Sequence, residues 1–104
     1  VDSTRATANE DFDETPDQTQ LTAAFPNPFQ NVTTFDLRVT KPQQIKIEIF
    51  DLLGRSKAVL FDGFLAGLER KSFTIDGRNW NNGVYFYQIT GETFNLARQV
   101  VLMR

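Results

Sequence analysis

Ile45-Lys46-Ile47-Glu48-Ile49 is the stretch that decides the fold, because isoleucine alternates with a charged residue throughout it. Successive side chains of a β-strand point to opposite faces of the sheet. This spacing therefore places the isoleucines on one face and Lys46 and Glu48 on the other. A strand of this kind covers a core with one face and meets water with the other, so the stretch predicts a half-buried β-strand.

The same period of two residues recurs on both sides of this stretch, from residue 21 onward. Turn residues separate the runs, and no segment keeps a helical period of 3.6 residues. The other predicted strands are Leu21–Phe25, Thr33–Val39, Ser56–Phe61, Glu69–Ile75, Val84–Thr90 and Thr93–Met103. About seven short strands in a chain of this size predict an all-β protein with one sandwich core.

The connections between these strands carry further expectations. Asp62-Gly63 is expected to break the chain after the fourth strand, and Gly91 with Glu92 to form a tight hairpin. Arg98-Gln99 interrupts the apolar character of the last strand and predicts a bulge or bend there. In the turn Asp51–Arg55, the glycine permits a positive φ, and a leucine is expected to hold the bend against the core.

Residues 1–20 differ in composition from the rest of the chain. They hold six acidic residues against one arginine, whereas residues 21–104 hold seven acidic and ten basic residues. Only Val1 and Phe12 are bulky and apolar in this segment, too little apolar surface to offset the entropy of ordering it. We therefore predict a flexible acidic linker at 1–20 and a β-sandwich domain at 21–104.

The composition excludes most site chemistry. The absence of Cys and His removes disulfides, thiolate nucleophiles, the commonest general base and the commonest zinc ligands. The acidic run at Asp11, Asp13 and Asp17 lacks the glycine turn and the terminal bidentate glutamate of a calcium loop. We therefore expect no catalytic residue, no metal site, no bound cofactor and no enzyme activity.

Six other acidic side chains are predicted to lie apart, on turns and on strand positions that face solvent. A glycosidase needs two carboxyl groups facing each other across a cleft, at roughly 5–9 Å, and a small sandwich has little room for one. These acidic residues are Glu48, Asp51, Asp62, Glu69, Asp76 and Glu92. Scattered basic residues argue against nucleic acid, and no apolar run approaches the roughly 20 residues of a transmembrane helix.

Four short motifs are more specific than the strand count. In order, they are Phe25-Pro26-Asn27-Pro28-Phe29, Ile47 to Arg55, Gly83-Val84-Tyr85-Phe86-Tyr87 and Arg98 to Arg104. With these motifs in this order, residues 21–104 resemble the type A C-terminal sorting domain of type IX secretion. Arg98 or Gln99 fills the position where that family usually has a lysine.

The resemblance implies an immunoglobulin-like sandwich, appended to an exported enzyme or adhesin and read by an outer-membrane translocon. It also implies a secreted protein attached to the bacterial cell surface, with surface lipopolysaccharide as a possible partner. The residues that match the family's motifs are Pro26, Asn27, Pro28, Gly54, Arg55, Gly83, Tyr85, Arg98 and Arg104. The end of the sequence on an apolar strand and an arginine favours this function, because a sorting domain is the last domain of its precursor.

Each motif also has a purely structural interpretation. Pro26-Asn27-Pro28 starts the sandwich and stops edge pairing, Gly54 is required by a turn, and Gly83 with Tyr85 opens a central strand. Arg98 and Arg104 are expected to face solvent and to form the basic part of a recognition element.

Trp80 suggests a different class of function. It stands between asparagines in a polar loop, where an exposed ring stacks on a sugar in many carbohydrate-binding sandwiches. The alternative function is therefore a carbohydrate-binding accessory module that holds an enzyme on a polysaccharide. The structural interpretation of Trp80 is a loop anchor at the edge of the core.

Overall fold

The computed structural model describes residues 12–14 and 19–104, and in that part it contains eight β-strands and no helix. The strands are β1 (Phe12–Glu14), β2 (Gln20–Thr22), β3 (Val32–Arg38), β4 (Gln43–Asp51), β5 (Ser56–Leu65), β6 (Arg70–Asp76), β7 (Gly83–Thr90) and β8 (Asn95–Leu102). They form two sheets with the orders β1-β2-β3-β6 and β5-β4-β7-β8. Every neighbouring pair is antiparallel. The predicted all-β sandwich is confirmed, with seven strands from Gln20 onward and β1 as a short addition.

The core lies between the two sheets. Alternation places the isoleucines of β4 inward, where they are 0–1% exposed. Phe35 of β3 stacks on Tyr87 of β7 at 4.4 Å between ring centroids, which joins the two sheets. Each fully buried side chain of this size contributes about 1.5–3 kcal/mol. The core consists of Leu21, Ala24, Phe29, Phe35, Leu37, Val39, Ile45, Ile47, Ile49, Leu65, Ile75, Tyr85, Tyr87, Ile89, Val100 and Leu102.

The fourth predicted strand is longer than the sequence pattern suggested. β5 continues through Asp62 and Gly63 to Leu65, so the predicted break at Asp62-Gly63 is wrong. Gly63 pairs with Ile45 in the ladder, and the ring of Phe61 lies 3.4 Å from the position that a Cβ of Gly63 would take. The neighbouring aromatic ring thus covers the glycine, and the strand continues across it.

The last strand is regular. β7 and β8 pair residue by residue from Gly83 with Leu102 to Thr90 with Asn95, without a register shift, so the predicted bulge at Arg98-Gln99 is wrong. The register shifts lie instead in the β4–β5 ladder. Because the alternation in β8 is unbroken, Arg98 shares the inward face with Val100 and Leu102.

The connection between β7 and β8 is wider than predicted. Residues 91–94 separate the paired ends of the two strands, and the Gly91 N–H donates to the Phe94 carbonyl at 2.9 Å. A four-residue loop therefore replaces the tight hairpin expected at Gly91 and Glu92.

The start of the sandwich also differs from the prediction. β2 begins at Gln20, Thr19 is fully buried, and Phe25 pairs with Thr34 only as an isolated bridge. β1 pairs with β2, which the linker prediction did not include. Residues 1–11 and 15–18, with Asp11 and Asp17 of the calcium alternative, lie outside the described residues. The division into a linker at 1–20 and a domain at 21–104 stays a prediction.

Candidate recognition site

The four sequence motifs meet at one end of the sandwich. Strand pairing brings Asp51 beside Tyr85, Gly83 beside Leu102, and Val32 beside Asp76. The segments that leave these strands therefore lie together. We call this region the motif end; it comprises residues 25–31, 51–55, 77–83 and 102–104. The opposite end carries residues 39–42, 66–69 and 91–94.

The Pro26-Asn27-Pro28-Phe29 segment covers the open edge of β8. The Asn27 side chain pairs with that edge as a backbone amide would: its Oδ1 accepts the Val101 N–H at 2.9 Å, and its Nδ2 donates to the Gln99 carbonyl at 3.5 Å. Phe29 continues the pairing through its backbone, bonding the Val101 carbonyl and the Met103 N–H at 2.8 Å each. Its ring is fully buried.

This geometry assigns the proline segment a clear structural role. An unpaired strand edge is a template for pairing with other chains, and natural proteins cover such edges. Both X-Pro peptide bonds of the segment are cis. Pro26, Asn27 and Pro28 themselves are exposed, so they cover the edge of β8 and also face outward from the motif end.

The turn after β4 is organised by one carboxylate. Asp51 Oδ1 accepts the backbone N–H groups of Leu53 and Arg55 at 2.9 Å, and Asp51 Oδ2 accepts from Arg55 Nε at 2.8 Å. The pKa of Asp51 is lowered below its usual value, mainly by the hydrogen bond from the Arg55 backbone N–H. The side chain and positive charge of Arg55 and the Leu53 backbone N–H lower it further. Gly54 takes φ 84°, the conformation for which glycine was predicted.

The leucines of this turn do not hold it against the core. Leu52 is 67% exposed and Leu53 is 77% exposed, so that prediction is wrong. The physical reason is the set of bonds to Asp51, which close the turn without a buried side chain. Arg55 is exposed beside the leucines, with its charge offset by Asp51.

Tyr85 and Trp80 form the inner wall of the motif end. Tyr85 is 5% exposed, and its hydroxyl donates to the Asn81 carbonyl at 2.6 Å. The Trp80 ring lies 5.0 Å from the Tyr85 ring and packs against the core, with the Lys57 ammonium 6.0 Å from its centroid. This is the geometry of a loop anchor. Sugar stacking on Trp80 stays a prediction.

Arg98 does not face solvent, contrary to the prediction. It is half-buried on the inward face of β8, directly opposite the buried Tyr87. The prediction failed because it placed an irregularity in a strand that is regular.

Arg104 is exposed as predicted, but its guanidinium is engaged. It donates to the carbonyl oxygens of Gln30, Gly77 and Trp80. Its backbone N–H and carbonyl also pair with the side chain of Asn82, at 3.0 and 3.3 Å. Arg104 therefore ties three segments of the motif end together, a role that its position in the sequence did not reveal.

Two of the acidic side chains weighed as a catalytic pair, Glu48 and Asp76, are each bonded to a neighbouring side chain. Glu48 accepts from Ser56 at 2.6 Å, which lowers its pKa. Arg78 binds Asp76 and lowers its pKa to about 2, so that this group is ionised at neutral pH. Within residues 19–104, no cluster of three acidic residues is placed to hold a metal ion.

No helix in the described part of the chain is long and apolar enough to cross a membrane.

Comparison with known proteins gives one finding. The model of a family described as the secretion system C-terminal sorting domain matches residues 23–103. That range contains the first three motifs whole and all but the last residue of the fourth. A search of curated proteins gives no match.

Proposed function

Because the chain belongs to the secretion system C-terminal sorting domain family, we propose that it delivers a larger exported protein to the bacterial cell surface and that the export machinery reads the motif end. The family's sorting role in type IX secretion, its non-catalytic character and its interaction with the secretion machinery hold for this chain as a member. Three further points are proposals: that the parent protein is attached to the cell surface, what kind of protein the parent is, and which part of this domain the machinery contacts.

The observation that carries the proposal is the convergence of the four motifs at one end of the sandwich. Strand pairing alone brings residues 25–31, 51–55, 77–83 and 102–104 together, although they are far apart in sequence. A single docking partner can therefore contact all four segments at once.

The exposed charge of this region supports the same conclusion. The Arg55 side chain is 73% exposed, whereas the Asp51 carboxylate that pairs with it is 14% exposed. Arg104, in the same region, and Lys57, just beyond it on β5, are also exposed. The side chains that a partner meets first are thus positively charged, and charge of one sign speeds the encounter with a complementary surface.

The parent protein is an extracellular hydrolase or adhesin in this proposal, and the machinery that attaches it lies at the outer membrane. Lipopolysaccharide on the cell surface is the proposed site of attachment. The alternative, in which Trp80 binds a polysaccharide and so holds the parent protein in place, is not supported by the position of the ring, which packs on Tyr85.

The test is the location of a fluorescent protein fused ahead of residues 1–104 and expressed in a bacterium with type IX secretion. We expect fluorescence outside the cell and attached to it, sensitive to added protease. Fluorescence released to the medium would support sorting and contradict attachment. Fluorescence retained inside the cell, with the fusion intact and folded, would overturn the proposal.

A further inference from the structure

Two adjacent leucines are held in solvent at the tip of the motif end. Leu52 and Leu53 are 67% and 77% exposed. Scattered exposed apolar side chains are ordinary, but a pair of neighbouring leucines on a rigid turn forms a continuous apolar surface. We call this pair the leucine tip.

The turn that carries the leucine tip is preorganised. Five hydrogen bonds of 2.8–3.0 Å join Asp51 to the backbone of Leu53, Gly54 and Arg55 and to the Arg55 side chain. An ordered turn loses little conformational entropy when a partner binds it, so apolar area buried there contributes more to affinity than the same area on a flexible loop.

The surface beside the leucine tip has the form of a docking site. A groove of about 280 Å³ runs from the leucines to Asn82, Val84 and Tyr85. Its lining combines apolar side chains, the two leucines and Val84, with polar ones, among them Asn81. A mixture of apolar area and polar groups is usual in a protein interface.

The charges around the leucine tip select one kind of occupant. Arg55 and Lys57 both line the groove, and the acidic side chain that lines it, Asp51, is 14% exposed and bound to Arg55. A second copy of this chain would bring the same positive charges against each other, which disfavours self-association.

We infer that the leucine tip inserts into an apolar pocket with an acidic rim on a protein of the secretion machinery. This inference rests on the proposed function and names the chemistry of its partner. Lys57 faces the acidic rim, and the Asp51 turn keeps the two leucines in position.

The test compares the wild-type chain, residues 1–104, with the double variant Leu52→Ser and Leu53→Ser. Binding to the purified type IX secretion complex is measured by surface plasmon resonance. Burial of two leucines predicts a loss of affinity of about 100-fold in the variant. Its urea midpoint should match that of the wild type, because both side chains already face solvent.

Leu68 provides the matched control. It is 67% exposed like Leu52 but lies at the opposite end of the sandwich. Leu68→Ser should bind within about twofold of the wild type, since its side chain lies away from the proposed contact. Equal losses in both variants would overturn the inference, because the effect would then be general rather than local.

Charge is tested with Lys57→Glu and, as control, Lys41→Glu at the opposite end. We expect about tenfold weaker binding for Lys57→Glu at low salt and a smaller difference at high salt, with little change for Lys41→Glu. If Lys57→Glu binds as tightly as the wild type, the partner pocket does not have the proposed acidic rim. If the wild-type chain dimerises and the Leu52→Ser and Leu53→Ser variant does not, the leucine tip binds a second copy of this chain, and the proposed partner is wrong.

Two failures are distinguishable. If the wild type binds and the leucine variant binds equally well, the leucine tip is not the contact and the proposed function stands. If the wild type does not bind the complex, the inference is wrong, and so is the proposal that the export machinery recognises the motif end.

Discussion

Phe29→Ala is expected to lower the free energy of unfolding by about 3–5 kcal/mol, the usual cost of removing a buried phenylalanine. The ring is fully buried. It lies 3.0 Å from the position that a Cβ of Gly77 would take, next to the Leu102 side chain, so it fills the space between Gly77 and β8. Alanine leaves that space empty beside a tightly packed backbone.

Phe25→Ala is the matched control, since Phe25 belongs to the same motif but is 82% exposed. Its loss should change the free energy of unfolding by less than about 0.5 kcal/mol. Urea denaturation of both variants, followed by tryptophan fluorescence, measures the two values. Similar losses for the two would show that Phe29 does not anchor the segment as described.

Tyr87→Phe is expected to cost about 1–3 kcal/mol, although it removes a single oxygen atom. The Tyr87 hydroxyl accepts the buried Ala24 N–H at 3.0 Å and donates to the Thr22 carbonyl at 3.3 Å. Phenylalanine keeps the stacking on Phe35 but leaves the Ala24 N–H without this acceptor in the core. An unsatisfied buried donor costs more than a mean hydrogen bond contributes.

Tyr85→Phe serves for comparison, because its hydroxyl bonds one carbonyl in a partly buried loop. We expect a cost of about 0.5–1.5 kcal/mol for this change. Thermal unfolding followed by near-ultraviolet circular dichroism measures both variants. If Tyr87→Phe proves neutral, the hydroxyl does not link β2 to β7.

The fold could be predicted where side-chain period alone determines burial. The isoleucines of β4 and the tyrosines of β7 alternate in sequence, and the structure buries each of them. Such alternation is a local property, so no knowledge of the partner strands was needed. The same rule reproduced β3 and β6 within one or two residues.

The rule failed where a neighbouring side chain or the pairing of strands decides a residue's position. Phe61 covers Gly63, so β5 continues across a glycine that reads as a break. The regular pairing of β8 with β7 turns Arg98 inward, which its polar character concealed. In both cases the type of the residue itself was the wrong guide to its position.

The candidate site was predicted as a set of motifs but not as a surface. Asn27 was singled out between two prolines, yet its pairing with Val101, 74 residues away, needed the structure. Asn82 was read as part of a polar loop, and its bonds to Arg104 were missed. The exposure of Leu52 and Leu53 was missed because leucines in a turn are usually assigned to the core.

The most direct test of the central claim is amide hydrogen exchange of residues 1–104, alone and bound to the purified type IX secretion complex. Amides of exposed turns exchange faster than those of buried strands, and a bound partner slows their exchange. We predict that binding protects residues 51–55 and 77–83 and leaves residues 39–42 and 66–69 unchanged. Protection of 39–42 and 66–69 with no change at 51–55 and 77–83 would contradict recognition through the motif end.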